Sequence, residues 1–283
     1  MKKRKIRSLT VFIAVILIST LLTGCVTDEF MNYRPITDLN NLEGRKVGVL
    51  IGWSTDYLLS DRDDLMLCRY DTAGDLIMAL CYKQLDAVAL DLVTANQILG
   101  LTTGLGMVDG HLSEEKFDVY FSKDNKEICD DFNTWLKDYK QTEEYEEWLN
   151  RFRSFDGSNY EPVNLEQTGT GKTIRIATYY DWYPLCYADS KGVTMGYETE
   201  FMVAFANAMN YRLEFVPTTE EDFYMGTEKG LYDGCYGGLS KLYAEEALRE
   251  GIYVTDFVYE MPIVVVEIKD PDNLEIKGEM EIE

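Results

Sequence analysis

Histidine is the side chain most often recruited for acid–base work near neutral pH, and this chain of 283 residues has one, His111. A His-based zinc site or a Ser-His pair would rest on that residue alone, and no paired acid/base motif stands out elsewhere. The six cysteines include no CxxC pair, so the spacing of a zinc or thioredoxin-like motif is missing. Cys186 and Cys235 lie in apolar, strand-like contexts and read as buried thiols. Asp61-Arg62-Asp63-Asp64 and Asp130-Asp131 offer carboxylates to Ca²⁺, yet lack the EF-hand glycine and spacing, and read as solvated faces. No enzyme activity and no cofactor is expected from this inventory.

The chemistry with the clearest address is at Cys25. Met1-Lys2-Lys3-Arg4-Lys5-Ile6-Arg7 is a cationic start, and the apolar run Leu9–Leu22 that follows is about 14 residues, short for a membrane span but suited to a signal peptide. Leu22-Thr23-Gly24-Cys25 resembles the lipobox of bacterial lipoproteins. That resemblance implies cleavage before Cys25, lipid on its thiol and a protein anchored outside the cytoplasmic membrane. The cleavage would remove five basic residues and no acid, moving the formal charge from −23 to −28. So negative a chain repels nucleic acid and anionic lipid, so neither is an expected partner. The five cysteines besides Cys25 (Cys68, Cys81, Cys129, Cys186 and Cys235) are odd in number and unpaired in spacing, which implies no disulfide framework.

The elements that must position any site read as α/β. Arg45–Gly52 is a buried strand, with Trp53-Ser54-Thr55 in the loop after it. Thr72–Leu85 has helical apolar spacing, Asp86–Asp91 is a second short strand and Val93–Leu99 starts the next helix. Residues 111–116 read as a polar connection and Phe117–Lys123 as an edge-like strand. Asp124–Tyr139 and Thr142–Phe152 are amphipathic helices whose apolar faces carry Trp135, Leu136 and Tyr139, then Tyr145, Trp148 and Leu149. Residues 154–172 hold glycine, serine, proline and asparagine without period and read as a flexible linker. Strands at Thr173–Thr178, Arg212–Val216, Tyr232–Leu239 and Pro262–Ile268 follow, with a helix at Glu198–Met209. Strands alternating with helices imply parallel or mixed sheets.

Several stretches carry a resemblance. Ile174-Arg175-Ile176-Ala177-Thr178, Trp182-Tyr183-Pro184-Leu185, Gly196-Tyr197-Glu198, Tyr232–Ser240 and Val254-Thr255-Asp256-Phe257 resemble, in order, the first lobe of the bacterial extracellular solute-binding proteins of family 3. These are the polar amino-acid-binding proteins of ABC importers. Leu42–Val49 and Asp86–Asp91 resemble that family's second lobe, and residues 117–153 its last stretch. The resemblance implies a bilobed type II periplasmic-binding fold. Because the closing half precedes the opening half, it also implies a circularly permuted domain or two partial ones joined. The implied divisions are a signal peptide at 1–24, a tether at 25–43, the second lobe at 44–110 and the end of the first lobe at 111–153. The linker at 154–172, the start of the first lobe at 173–268 and a tail at 269–283 complete them.

The same resemblance implies a binding site. Asp91 would meet a ligand ammonium, although as a strand-end residue it also reads as a helix cap. Ser54 and Thr55 would receive a ligand carboxylate through hydroxyls and backbone N–H groups. Trp182 and Phe223 would sandwich the ligand, and Gly238 and Ser240 would add backbone and hydroxyl contacts. The family's carboxylate-clamping arginine falls near Glu245 or Leu248, with Arg249 beside it if the loop carries a short insertion. This departure leaves the ligand open between an amino acid, a related amine, a peptide fragment and none. The implied function is a lipid-anchored receptor, monomeric, that feeds a small amino-acid-like molecule to an ABC permease or a membrane sensor. The alternative is a sensory or interaction lipoprotein that kept the fold and lost the ligand.

Overall fold

The computed structural model describes residues 35–39, 42–158, 160–178, 181–243, 247–248 and 251–277. The expected signal segment, Cys25, Arg249 and most of the tether lie outside these residues. Along the chain come β1 (Lys46–Leu50), α1 (Ser54–Ser60), β2 (Met66–Tyr70), α2 (Ala73–Cys81), β3 (Ala87–Asp91) and α3 (Leu92–Leu101). β4 (Leu105–Met107), β5 (Ser113–Phe117), β6 (Tyr120–Phe121), α4 (Lys126–Tyr139) and α5 (Glu143–Arg153) follow. The rest is β7 (Thr173–Thr178), α6 (Tyr197–Ala208), β8 (Arg212–Pro217), α7 (Glu220–Glu228), β9 (Gly234–Tyr236), β10 (Tyr253–Val254) and β11 (Tyr259–Ile268), with short two- and three-residue pairings between.

Two mixed sheets result. Sheet I runs β2-β1-β3-β11-β4, with β5 also paired to β11, and sheet II runs β8-β7-β9-β6-β10. In each, three parallel strands are followed by an antiparallel one that arrives from the chain of the other sheet. Helices cover the strands on both faces, so β3 is buried at every position and reads as a continuous apolar run. Gly48 in β1 follows from that packing: a Cβ there would lie 2.5 Å from both Leu76 and Leu85.

Sheet II is closed by an aromatic core. Phe132 and Trp135 of α4 meet Phe201 and Phe205 of α6, with the Phe132 and Phe205 rings 4.8 Å apart, edge to face. From α5, Trp148 reaches Phe201 and Tyr259, and its Nε1 donates to the Tyr197 carbonyl at 2.9 Å. The apolar faces read from α4 and α5 are the faces that pack. Thr142 starts α5 as expected, its hydroxyl accepting from the Tyr145 amide.

The structure corrects four expectations. Ser54–Ser60 is helix rather than loop. Residues 111–116 are largely strand, because β5 pairs with β11 from Ser113 to Phe117. The single edge strand expected at 117–123 breaks at Asp118-Val119, where the chain leaves sheet I for sheet II, and β6 lies inside sheet II between β9 and β10. β11, grouped by sequence with residues 173–258, pairs instead with β3 over Ile263–Glu267; its unbroken β-branched run suits the buried middle of sheet I.

Residues 154–158 and 160–172 are a tied strap along α6 rather than a flexible linker. Glu200, buried on α6, accepts from Arg151, from the Tyr160 hydroxyl and from the Val163 amide at 2.8 Å. Asn207 Oδ1 accepts from the Thr168 amide, and Gln167 exchanges two hydrogen bonds with the Leu213 backbone. Glu200→Ala would leave a buried phenol and a half-buried guanidinium unpaired. The expected loss is about 2 kcal/mol in denaturant unfolding, together with faster proteolysis within 154–172. A strap cut no faster in the variant would show that Glu200 does not hold it.

Candidate functional site

The two sheets are joined by two crossings that hydrogen-bond to each other. One is Phe117-Asp118-Val119, the other Thr255–Tyr259. Val258 N donates to Phe117 O at 2.7 Å and Thr255 N to Val119 O at 3.1 Å, and the Thr255 hydroxyl accepts from Val119 N at 3.0 Å. Side chains of the crossings and of the neighbouring strand ends therefore converge from both sheets.

From sheet I, Asp91 ends β3 and begins α3. Its Oδ1 accepts from Thr94 N at 2.9 Å, capping the helix. Its Oδ2 is buried and has no hydrogen-bond partner among the described residues. Both readings of this residue thus hold, one on each oxygen. Glu115 of β5 is buried too; it lies opposite Met261 of β11 and Asp91 opposite Ile263, two residues apart, so the two acids share a face of sheet I. Burial pushes both acids up from the usual carboxylate range. Thr55 is buried with its hydroxyl unpaired among the described residues.

From the stretch between β7 and α6, the Trp182 ring stands 5.5 Å from Phe117 and 6.0 Å from Trp53, the latter edge-on. Its Nε1 approaches the Thr94 hydroxyl at 3.5 Å. Gly238 has φ +70°, and a Cβ there would lie 2.6 Å from the Trp182 ring, so glycine is required both by conformation and by contact. The Gly238 amide donates to the Glu198 carboxylate at 3.3 Å, which also accepts from the Tyr259 hydroxyl at 2.6 Å. Ser240 is bridged through its backbone to Phe117.

Asp91, Trp182 and Gly238 are therefore brought together, Ser240 is bridged to Phe117 beside them, and Ser54 opens α1 next to Trp53. Phe223 is not: it packs on the far side of sheet II with Tyr120, Cys235 and Ile252. Trp182's ring neighbours are Trp53 and Phe117 instead. Glu115 and Glu198 were missed. The alternation of β5 (Glu115 and Phe117 on one face) is the signal that could have found the first, but its acidic composition reads as loop. Glu198 sits in the helix start Gly196-Tyr197-Glu198, where an acid is expected merely to favour the first turn.

Among the described residues no group of three His, Cys, Asp or Glu side chains could hold a metal ion. The acidic runs serve other ends: Asp64 pairs with Arg62, Asp130 with Lys126, and Asp131 accepts from the Tyr211 hydroxyl. His111 lies exposed beside Glu114. Cys186 and Cys235 are buried, as their contexts imply.

A small cavity of about 10 Å³, room for roughly one water, touches both Asp118 and Glu198 behind the crossings. Burial raises Asp118 to about 6, with Lys241 at 3.9 Å partly offsetting it, and raises Glu198 from 4.5 to about 7. The folded protein holds these protons more tightly than the unfolded chain. The stability due to Glu198 is therefore full below pH 4.5 and is lost as pH rises to about 7. The loss is on the order of 3 kcal/mol by the linkage relation. Glu198→Gln is expected to remove most of that decline in denaturant midpoints measured from pH 5 to 8; a slope matching the parent would show that Glu198 does not titrate there.

Residues 174–265 match the family described as bacterial extracellular solute-binding proteins, family 3. No curated protein matches the chain. Among solved structures, the unliganded, open L-cystine solute receptor of Neisseria gonorrhoeae is 26% identical over 23% of this chain and 28% of its own, with a TM-score of 0.22. The GluR0 ligand-binding core in complex with L-glutamate is 9% identical over 81% of this chain and 86% of its own, with a TM-score of 0.41. The ancestral amino acid-binding protein AncCDT-1, a precursor of cyclohexadienyl dehydratase, is 10% identical over 80% and 82%, also at 0.41. The stretch that holds Trp182, Glu198, Gly238 and Ser240 thus matches the family 3 bacterial extracellular solute-binding proteins.

Proposed function

We propose that this chain is an extracytoplasmic solute-binding protein, anchored by lipid on Cys25, that captures a small polar ligand between its two sheets and passes it to an ABC importer. The ligand is an amino acid or a related amine, and the bilobed domain carries its segments in circularly permuted order. One observation carries the binding reading: Asp91 with its cap partner Thr94, and Trp53, from the β1–α3 stretch, meet Trp182 and the Gly238 beneath its ring, from the β7–β9 stretch, beside the paired crossings. Two sheets joined by two adjacent strands can hinge there, and a ligand touching both would hold them together. The family match over residues 174–265 supports the class. The permuted order is supported by the matching strand order of the two sheets and by the strap at 154–172, which connects α5 to β7 along α6. No helix among the described residues is long and apolar enough to cross a membrane, and the basic start, apolar run and Cys25 support lipid anchoring.

A second reading, a ligand-free sensory or interaction lipoprotein, is favoured by one contact. The Trp182 ring already rests on Trp53, Phe117 and Gly238 where a ligand would sit.

Thermal unfolding of the full-length chain in detergent, against a panel of amino acids, amines and short peptides, separates the two. The receptor reading expects a single transition raised by one ligand class, with affinity about tenfold weaker or worse in Asp91→Ala and in Trp182→Ala. A transition that nothing in the panel raises favours the ligand-free reading. Cys25→Ser is expected to release the protein from membranes into the soluble fraction; retention on washed membranes would sink the lipid anchor.

A further inference from the structure

In a site that receives an α-amino acid, something must answer the ligand's carboxylate. Here one donor suited to that task, the Gly238 amide, is already engaged by the protein's own Glu198. Among the described residues no lysine or arginine forms an ion pair with Asp91, Glu115 or Glu198. The site therefore holds several buried acids and little to balance them, a costly arrangement unless a cation joins or protons bind.

The unsatisfied capacity points the same way. Asp91 is 3% exposed, and its Oδ2 is a buried acceptor with no partner among the described residues; Glu115, also buried, shares its face of sheet I across β11. An ammonium brings three N–H donors and no acceptor. Trp53, Trp182 and Phe117 line the same space and suit a desolvated cation through their ring faces. A carboxylate on a zwitterionic ligand would instead add negative charge beside these buried acids.

We propose that this site takes a primary amine that lacks a carboxylate, its ammonium held between Asp91 and Glu115 against the Trp182 ring. The inference rests on the receptor reading and narrows its ligand. Asp91 and Glu115 belong to sheet I, whereas Trp182 lies on the stretch between β7 and α6, in a short pairing of its own with Cys186. An amine that touches both the acids and the Trp182 ring thus links the two halves of the chain.

The test uses matched pairs that differ by one carboxylate: putrescine and ornithine, cadaverine and lysine, agmatine and arginine. Each is titrated calorimetrically into the full-length chain in detergent. The expected result is that the amine of at least one pair binds about tenfold or more tightly than its amino acid. Glu115→Gln should then weaken that amine by about tenfold or more while the amino acid weakens less or gains. Should Glu115→Gln fail to fold, Asp91→Asn serves, since asparagine retains the helix cap while losing the charge. Amino acids that bind as well as their amines, or better, overturn the proposal and leave the receptor reading standing. Amine binding unchanged in the folded variant overturns the assignment to this site. No heat from either member of any pair overturns the proposal and counts against the receptor reading as well.

Discussion

Everything about the site depends on the pairing of the two crossings. Between sheets I and II the chain passes twice, at 117–119 and 255–259, and the two passages share backbone hydrogen bonds at Phe117, Val119, Thr255 and Val258. Buried amides and carbonyls must find partners, and here they find each other. That pairing fixes the register of β5 against β11 and so aims Glu115 and Phe117 toward Asp91, Trp53 and Trp182. It also stacks the Phe117 and Tyr259 rings 4.9 Å apart and brings the Tyr259 hydroxyl to Glu198. Around the crossings, α5 is tied by the Tyr145 hydroxyl to Val258 O at 2.9 Å and by Trp148 to the ring of Tyr259. A joint built from two short strands can bend at few places, and those places are next to the site.

The second constraint is electrostatic. Asp91, Glu115, Asp118 and Glu198 are all buried around this joint, and each is pushed up by desolvation. A hydroxyl and amides offset part of that cost, through Thr94 on Asp91 and Tyr259 and Gly238 on Glu198. They do not neutralise charge. The chain as a whole carries a formal charge of −23, so cations accumulate around it. A preference for cationic partners is thus built in at two scales, in the long-range field and in the buried acids.

Much of the fold was legible because local signals agreed with tertiary demand. The helical spacing of Leu76, Ile77 and Leu80, the cap at Thr142 and the aromatic faces of α4 and α5 lie where patterning places them. Reading failed where tertiary context overrode composition. β5 is rich in Glu and Lys and has no apolar period, yet it is held as strand by β11, some 140 residues later in the chain. The strap has linker composition, but Glu200 supplies acceptors that no local pattern reveals. Ser54–Ser60 became helix although Trp53 offers no side-chain cap, because Thr55 and Leu59 are buried on one side of it.

Asp91, Trp182, Gly238 and Ser240 were proposed as site residues through the resemblance of the short segments that hold them. The sequence by itself determined the α/β class, the strands and helices with strong periodicity, and the acidity. Only the tertiary structure decided that Phe223 faces elsewhere, that Trp53 and Phe117 meet Trp182, and that Glu198 occupies the Gly238 amide. The physical reason is that burial, hydrogen bonding and proximity of charge are properties of pairs far apart in the chain, and pairing is set by how the two crossings join the sheets.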